Sequence, residues 1–260
     1  MAFPVDSARQ GTNITTAATS HTINVGSPVS GTLLIVLVCF PSAPGTVTFT
    51  GYTLLSSFIA WTDEVLHVYY RQADGTEGAT DALSTTSSVK LCAISWEITG
   101  AANPATQAPQ VSTSSIGSGG SVMQSNPITP TGGAKDYLFM SLGLVSGETS
   151  FPTAQPASYA NLVTANSGTG GAATTNCIGC GATRQANTAT ETPGPFTHPL
   201  GDVGAITVAV HPPAGATTHT KAGFSKADPD GFGVSQKVAG AAPGPAFRRQ
   251  RRASRYLTFR

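Results

Sequence analysis

The sequence predicts an all-β fold, built as an antiparallel β-sandwich or jelly roll. Three observations predict it. Charged residues make up only 10% of the 260 residues, so the side chains that favour surface helices are scarce. The 29 glycines and 18 prolines interrupt the chain at short intervals. Between these interruptions lie short runs rich in β-branched and aromatic residues, a spacing typical of sandwiches and jelly rolls.

The individual strands follow in order from runs that are apolar or alternating and that end at Gly, Pro, Asn, Asp or Ser. In the first half they are predicted at residues 14–17, 21–25, 32–40, 46–49, 53–60, 65–72, 80–84 and 89–98. In the second half they are predicted at residues 110–113, 121–124, 137–145, 160–165, 175–184, 195–198 and 205–211. Residues 33–40 form the longest apolar run, which has the length of a strand and is too short to span a membrane. Residues 32–40 are apolar on both faces, which predicts a central strand.

The second half of the chain repeats the first half in the same order. The matched segments are residues 32–37 with 136–142, 51–55 with 158–162, 71–73 with 184–186, and 93–98 with 205–210. The repeat predicts a duplicated β-sandwich unit, with one copy in residues 1–105 and the other in residues 106–213. Each copy is long enough to fold alone. The sequence therefore leaves open whether the two copies form separate sandwiches or share one core.

Charge divides the chain into a body and a C-terminal arm. Residues 1–213 carry five basic and eleven acidic side chains, a net charge of −6, whereas residues 214–260 carry nine basic and two acidic side chains, a net charge of +7. The arm is rich in Gly, Ala and Pro, which predicts an extended segment without a core of its own. Its predicted partner-binding residues are Arg248, Arg249, Arg251, Arg252, Arg255, Tyr256 and Phe259.

The basic arm has two candidate partners. Arginine side chains pair with carboxylates, so the arm is suited to dock on an acidic protein surface, and this is the favoured interpretation. The alternative is nonspecific binding of nucleic acid, in which the arginines contact phosphates and the aromatic rings stack on bases.

The cysteines and carboxylates do not form a recognisable catalytic or metal-binding motif. Cys177 and Cys180 have the spacing of half a zinc site, but no second pair follows, and positions three apart on a strand point to opposite faces. We therefore expect buried thiols and no metal or other cofactor. Residues 74–78 read Asp-Gly-Thr-Glu-Gly and predict a turn in which Asp74 accepts backbone hydrogen bonds. These features predict that the protein is not an enzyme.

Four aromatic residues offer a different function, namely carbohydrate binding. Trp61, Tyr69, Tyr70 and Trp96 are of the type that stacks on sugar rings in β-sandwich binding modules. However, Tyr69 and Tyr70 are neighbours on one strand and point to opposite faces. Trp96 lies in an apolar alternating strand. Core packing is therefore the favoured prediction for all four.

Residues 68–78 read Val-Tyr-Tyr-Arg-Gln-Ala-Asp-Gly-Thr-Glu-Gly, and they follow a Gly-Thr-Leu-Leu-Ile-Val strand. With the closing strand at residues 205–212, this pattern resembles a family of β-rich structural proteins encoded by tailed bacteriophages and prophages. The resemblance covers roughly residues 10–213 and excludes the arm. It implies a virion protein and brings no catalytic residues.

This resemblance and the basic arm together predict a capsid decoration or cement protein. Its expected partners are the major capsid protein or other virion subunits, together with further copies of the chain as a homo-oligomer, and no membrane. The expected location is the virion, which is assembled in the cytoplasm of the host bacterium. The alternatives are a tail or fibre component, or a carbohydrate-binding module on the particle surface.

Overall fold

The computed structural model describes residues 3–60, 63–147, 151–168 and 175–214, and the chain forms twelve β-strands within these ranges. Those of the first half are β1 (Val5–Asn24), β2 (Leu33–Phe40), β3 (Val47–Phe49), β4 (Thr53–Ala60), β5 (Glu64–Gln72) and β6 (Thr80–Thr99). Those of the second half are β7 (Gln110–Val111), β8 (Ser115–Gly117), β9 (Lys135–Ser146), β10 (Ala160–Asn166), β11 (Cys177–Thr188) and β12 (Val203–Val210). The predicted all-β class is confirmed.

The strands form two antiparallel sheets of the same topology. Sheet 1 has the order β4-β5-β2-β6-β1, with β3 also paired to β6. Sheet 2 has the equivalent order β10-β11-β9-β12-β7, with β8 also paired to β12. Leu33 of β2 pairs with Ile98, and the equivalent Leu138 of β9 pairs with Val210. The strand register therefore follows the alignment of the two sequence repeats.

The two sheets pack face to face around one hydrophobic core to which both halves contribute. Its fully buried side chains include Leu33, Ile35, Leu37, Ile94, Trp96 and Ile98 from sheet 1, and Leu138, Met140, Leu142, Leu144, Ile206, Val208 and Val210 from sheet 2. This answers the question that the sequence left open. Residues 1–105 and 106–213 provide the two sheets of one sandwich and are not two separate sandwich units, because each sheet buries its inner face against the other.

The outer face of each sheet is buried as well, on sheet 1 mainly by residues of other strands and on sheet 2 by connecting segments. On sheet 1, Val36 and Phe40 of β2 pack with Phe49 of β3 and Leu83 of β6. On sheet 2, Phe139 of β9 lies in an equivalent cluster, which includes Met123, Ile128, Tyr137 and Phe196. The central strands β2 and β9 are therefore buried on both sides. Their continuous apolar runs reflect this position, as the sequence predicted for residues 32–40.

Some predicted element boundaries differ from the structure. Two predicted strands, residues 14–17 and 21–25, belong to one long strand β1, and residues 80–84 and 89–98 likewise belong to β6. Their polar Ser- and Thr-rich junctions suggested turns. In the structure these junctions continue the β1–β6 ribbon, which absorbs the irregularity as shifts of register around Ala18.

Two further predicted strands are not strands. Residues 121–124 form no strand, and residues 195–198 form only an isolated bridge between Thr197 and Ala154. Their apolar residues Met123 and Phe196 instead pack on the outer face of sheet 2. These short apolar runs therefore predicted burial correctly but not the secondary structure, since their backbone hydrogen bonds, such as the one from the Phe196 N–H to the Met123 carbonyl, do not extend into a strand.

Close packing between the sheets predicts the effect of a methyl group at Gly181. A Cβ atom at this position would lie 2.5 Å from Trp96 Cζ2 and 2.9 Å from Leu142 Cδ2. We expect Gly181→Ala to lower the free energy of unfolding by about 1–3 kcal/mol through overpacking. Urea denaturation measures this. Gly11→Ala is the matched control, because its Cβ would meet no atom closer than 3.9 Å. Equal stability of the two variants would contradict this packing.

Two buried histidines predict how stability depends on pH. Burial lowers the pKa of His67 to about 4, and burial together with the charge of Lys135 lowers the pKa of His211 to about 4. Their folded-state pKa values thus lie below the ordinary value of 6.5, so the unfolded chain binds protons more readily. The stability contribution is present above pH 6.5 and is lost as the pH falls towards 4.

We therefore expect the free energy of unfolding, measured by urea titration, to decrease as the pH falls through this interval. The double variant His67→Gln, His211→Gln removes both titrating groups and should flatten the decrease. A variant with the same pH dependence as the natural chain would show that these two side chains are not responsible.

Candidate functional site

Each half of the chain joins a tyrosine, a carboxylate and an arginine by hydrogen bonds or ion pairs. In the second half, the Tyr159 hydroxyl donates to Glu191 Oε1 at 3.2 Å. Arg184 Nη1 donates to the same oxygen at 2.8 Å. The Glu191 side chain is only 2% exposed. Burial and the adjacent carboxylate raise the pKa of Tyr159, so its hydroxyl remains a hydrogen-bond donor.

The first half contains the equivalent group, but with three carboxylates in place of one. The Tyr52 hydroxyl donates to Asp81 Oδ2 at 2.8 Å. Arg71 contacts a carboxylate oxygen of Glu77 at 2.9 Å and one of Asp74 at 3.5 Å. A third carboxylate oxygen, from Asp81, lies 3.8 Å from Arg71. Arg71 is therefore surrounded by three carboxylates.

The carboxylates at residues 74 and 77 also fold the predicted turn. The Thr76 backbone N–H donates to Asp74 Oδ1 at 2.8 Å, and Gly75 has a φ of +86°. The Glu77 carboxylate accepts backbone hydrogen bonds from Asp74 and Gly75. Hydrogen bonds from Thr76 lower the pKa of Asp74. The predicted turn is confirmed, and its carboxylates are engaged in holding the loop.

A cleft lies beside each of the two arginines. The Arg71 cleft has a volume of about 480 Å³ and is lined by Gly51, Thr53, Tyr70, Arg71, Gln72, Asp74, Asn103, Pro104 and Ala105. The Arg184 cleft has a volume of about 380 Å³ and is lined by Val5, Asp6, Leu138, Ser158, Ala160, Asn161, Thr183, Arg184 and Gln185. Matched segments of the two repeats line both clefts. The clefts are therefore equivalent features of the duplicated fold.

The two clefts differ in the chemistry of four equivalent positions. The first half has Gly51, Thr53, Leu54 and Tyr70 where the second half has Ser158, Ala160, Asn161 and Thr183. Ser158 and Asn161 have φ values of 68° and 62°, in the left-handed region that favours glycine. Asn161 Nδ2 donates to Thr183 Oγ1 at 3.3 Å. The Arg184 cleft thus carries polar side chains held by an unusual backbone, a combination that often marks functional sites.

Asp6 forms one wall of the Arg184 cleft from the opposite sheet. Arg9 Nε donates to Asp6 Oδ2 at 2.6 Å, and Thr183 Oγ1 donates to the same oxygen at 3.1 Å. The Asp6 side chain is only 3% exposed. Its other oxygen, Oδ1, has no hydrogen-bond partner among the residues that the structure describes. Burial raises the pKa of Asp6, and the hydrogen bond and charge of Arg9 oppose this shift.

The arm residues predicted from the sequence lie outside the described ranges. These are Arg248, Arg249, Arg251, Arg252, Arg255, Tyr256 and Phe259, and Trp61 lies outside as well. The other aromatic residues do not form a shared platform. Trp96 is buried in the core between the sheets, Tyr69 packs on the outer face of sheet 1, and Tyr70 packs against the inner core. Core packing of Trp96 and the opposite orientation of the two tyrosines are confirmed.

The Cys-x-x-Cys pair is split between two layers, as predicted. Cys177 lies in the core between the sheets, whereas Cys180 lies on the outer face of sheet 2. Cys177 Sγ is 4.0 Å from Sγ of Cys92, whose strand neighbour is Cys39. Burial raises the pKa of Cys39, Cys177 and Cys180. Within the described ranges, no group of three or more metal-ligating side chains could hold an ion.

Sequence analysis did not identify the Arg184 cleft. The repeat had aligned Tyr159 and Arg184 with their first-half equivalents. Asp6 lies far from both in sequence and joins them only because the two sheets are stacked. The signal available in the sequence was the polar substitution at Asn161, where the first half has Leu54.

Comparisons with protein-family models, curated proteins and solved structures find no match for this chain. Within the described ranges, no helix is long and apolar enough to cross a membrane. The interpretation of the chain therefore depends on its own sequence and geometry.

The duplicated group predicts unequal effects of equivalent substitutions. Glu191→Gln removes the negative charge that pairs with Arg184 and accepts the Tyr159 hydrogen bond. We expect this change to lower the free energy of unfolding by about 1.5–3 kcal/mol. Asp81→Asn is the matched variant in the first half. It should have a smaller effect, because Arg71 keeps its contact with Glu77 at 2.9 Å. Urea denaturation of both variants checks this, and a larger loss for Asp81→Asn would contradict it.

Proposed function

We propose that this chain is a non-enzymatic structural subunit of a tailed-bacteriophage particle, and that it serves as a capsid decoration or cement protein. The observation that carries the proposal is the division of charge. Residues 1–213 have a net charge of −6, whereas residues 214–260 have a net charge of +7. Charge segregated in this way is typical of a body with an attached interaction segment.

The construction of the sandwich supports a structural role. Its two sheets are joined across their open edge by polar contacts as well as by the shared core. Gln185 Nε2 donates to the Pro4 carbonyl at 2.9 Å, and the Asn166 backbone N–H donates to Asn13 Oδ1 at 2.9 Å. A body with buried inner and outer faces suits a subunit that must keep its shape while bound to a particle.

The basic arm, residues 214–260, supplies the proposed means of attachment. Guanidinium groups pair bidentately with carboxylates, and five arginines lie between Arg248 and Arg255. An extended segment gains its affinity by covering a large surface of a partner. The proposed partner is the major capsid protein or another virion subunit, and binding should weaken with salt because exposed charges are screened.

The resemblance to phage structural proteins favours a virion component but does not by itself distinguish the capsid from the tail or fibre. The capsid role is preferred because the basic segment is long. At about 3.3 Å per residue, an extended segment of this length reaches well beyond the sandwich and across neighbouring subunits. A subunit of this kind can hold adjacent capsomers together.

Co-sedimentation with capsids that lack this protein tests the proposal. We expect the full-length chain to co-sediment and to be released by salt, and we expect residues 1–213 to remain in the supernatant while keeping the far-ultraviolet circular dichroism of a β-protein. The control for charge is a full-length variant with Arg248, Arg249, Arg251, Arg252 and Arg255 changed to Gln, which should also fail to bind.

Two outcomes would contradict the attachment mechanism. Equal binding of residues 1–213 would place the interface on the sandwich. Release of the full-length chain by nuclease treatment, without added salt, would show that the basic segment binds nucleic acid. Binding to purified tails in preference to capsids would contradict the decoration role and favour the tail.

A further inference from the structure

We propose that the Arg184 cleft is a binding site for a neutral saccharide unit, with Asp6, Asn161 and Ser158 as its principal hydrogen-bonding residues. This inference goes beyond the proposed particle role, since it concerns the sandwich alone and stands whether or not the basic arm attaches the chain to a capsid. It also differs from the aromatic platform considered from the sequence, because Tyr69, Tyr70 and Trp96 do not line this cleft.

Asp6 has a carboxylate oxygen without a hydrogen-bond partner among the described residues. Asp6 forms part of the cleft wall, and its side chain is 3% exposed. Arg9 and Thr183 both donate to its Oδ2 atom, whereas Oδ1 has no partner among the described residues. A buried carboxylate oxygen without a hydrogen bond is unfavourable. Oδ1 is covered by the surrounding protein, so the Asp6 carboxylate must turn towards the cleft before a ligand hydroxyl can donate to this atom and supply the missing bond.

The charged side chains of the Arg184 cleft wall are already paired within the protein, which favours a neutral ligand. The Asp6 carboxylate is paired with Arg9 at 2.6 Å, and the Arg184 guanidinium is paired with Glu191 at 2.8 Å. Each charged group of the cleft wall therefore has its own counter-ion. An anionic or cationic ligand would have to compete with one of these pairs. A hydroxyl group, which both donates and accepts, can add to the site without displacing either pair.

The surface of the Arg184 cleft is partly apolar and partly polar. Val5, Leu138 and Ala160 provide an apolar part, and Ser158 and Asn161 provide hydroxyl and amide groups. A sugar ring has the same division, with C–H groups on its faces and hydroxyls around its rim. The volume of about 380 Å³ lies within the range of small-molecule sites.

The Arg71 cleft is the equivalent cleft of the first half and serves as an internal comparison. The position of Asn161 is occupied there by Leu54, and that of Thr183 by Tyr70, which packs against the core. Arg71 is held there by three carboxylates. The duplicated fold therefore requires the tyrosine–carboxylate–arginine group but not the additional polar residues. Ser158, Asn161 and Thr183 occur in the Arg184 cleft alone, where they point to a ligand, whereas the Arg71 cleft has a different polar lining that includes Thr53, Asp74 and Asn103.

Nuclear magnetic resonance titration of the full chain tests the site. The probes are the methyl glycosides of glucose, galactose, mannose, rhamnose and N-acetylglucosamine, with sodium glucuronate and inorganic phosphate as ionic probes. We expect at least one neutral glycoside to shift the backbone amide signals of Ser158, Asn161 and Thr183, and the ionic probes to leave them unchanged. Absence of a shift with all five glycosides, or a larger shift with an ionic probe, would overturn the proposal.

Two variants then identify the residues responsible. Asp6→Asn removes the free carboxylate acceptor with little change of shape. Asn161→Gly removes the side-chain amide and tolerates the φ of 62° without strain. Each should weaken binding of the responsive glycoside roughly tenfold or more, as expected for loss of one hydrogen bond in a desolvated site.

Leu54→Gly is the matched control, because it makes the same type of change at the equivalent position of the Arg71 cleft. It should leave the affinity unchanged. Amide spectra without ligand establish that each variant is folded, and either binding variant alone suffices for the test. Unchanged affinity in a folded Asp6→Asn or Asn161→Gly chain would overturn the assignment of these residues, and loss of affinity in Leu54→Gly would place the site elsewhere.

Discussion

The structure depends on the burial of two apolar sheet faces against each other. Each half of the chain forms one sheet, and the inner face of that sheet has no cover within its own half. Trp96 of sheet 1 fills the space above Gly181 of sheet 2, where a single added methyl group would lie 2.5 Å from the indole. The two halves therefore form one body with a shared core rather than two domains. This burial also explains why charged residues are few, because most strands are buried on one or both faces.

The candidate site is a consequence of the same arrangement. Stacking two equivalent sheets brings the first residues of one half beside the tyrosine–arginine edge of the other. Asp6 of sheet 1 thus meets Thr183 of sheet 2, at 3.1 Å. The duplicated geometry produces two clefts, and their differences separate what the fold needs from what it does not. The group around Tyr52 and Arg71 is saturated with carboxylates, whereas the cleft beside Arg184 keeps an acceptor, Asp6 Oδ1, that has no partner in the described part of the chain.

Sequence reasoning predicted the class of fold and the alignment of the repeats because both depend on local patterns. The double-sided burial of residues 32–40 could be derived from their continuous apolar run. The long ribbon of β1 and β6 could not, because its polar junctions resemble turns. In the structure the β6 junction stays extended by pairing with a different segment, since Thr85 pairs with Val47 and the Thr86 backbone N–H donates to the Thr46 carbonyl. The Arg184 cleft could not be predicted either. Asp6 and Thr183 approach each other through the stacking of sheets, and a local pattern carries no information about that contact.

The two halves share a single core, and we expect that neither half folds without the other. The most direct measurement is urea denaturation, followed by circular dichroism, of residues 1–105 and residues 106–213 prepared separately and then mixed. We expect no cooperative transition for either half alone and a cooperative transition for the mixture. A cooperative transition in each isolated half, unchanged on mixing, would contradict this expectation and would show that the halves are independent domains.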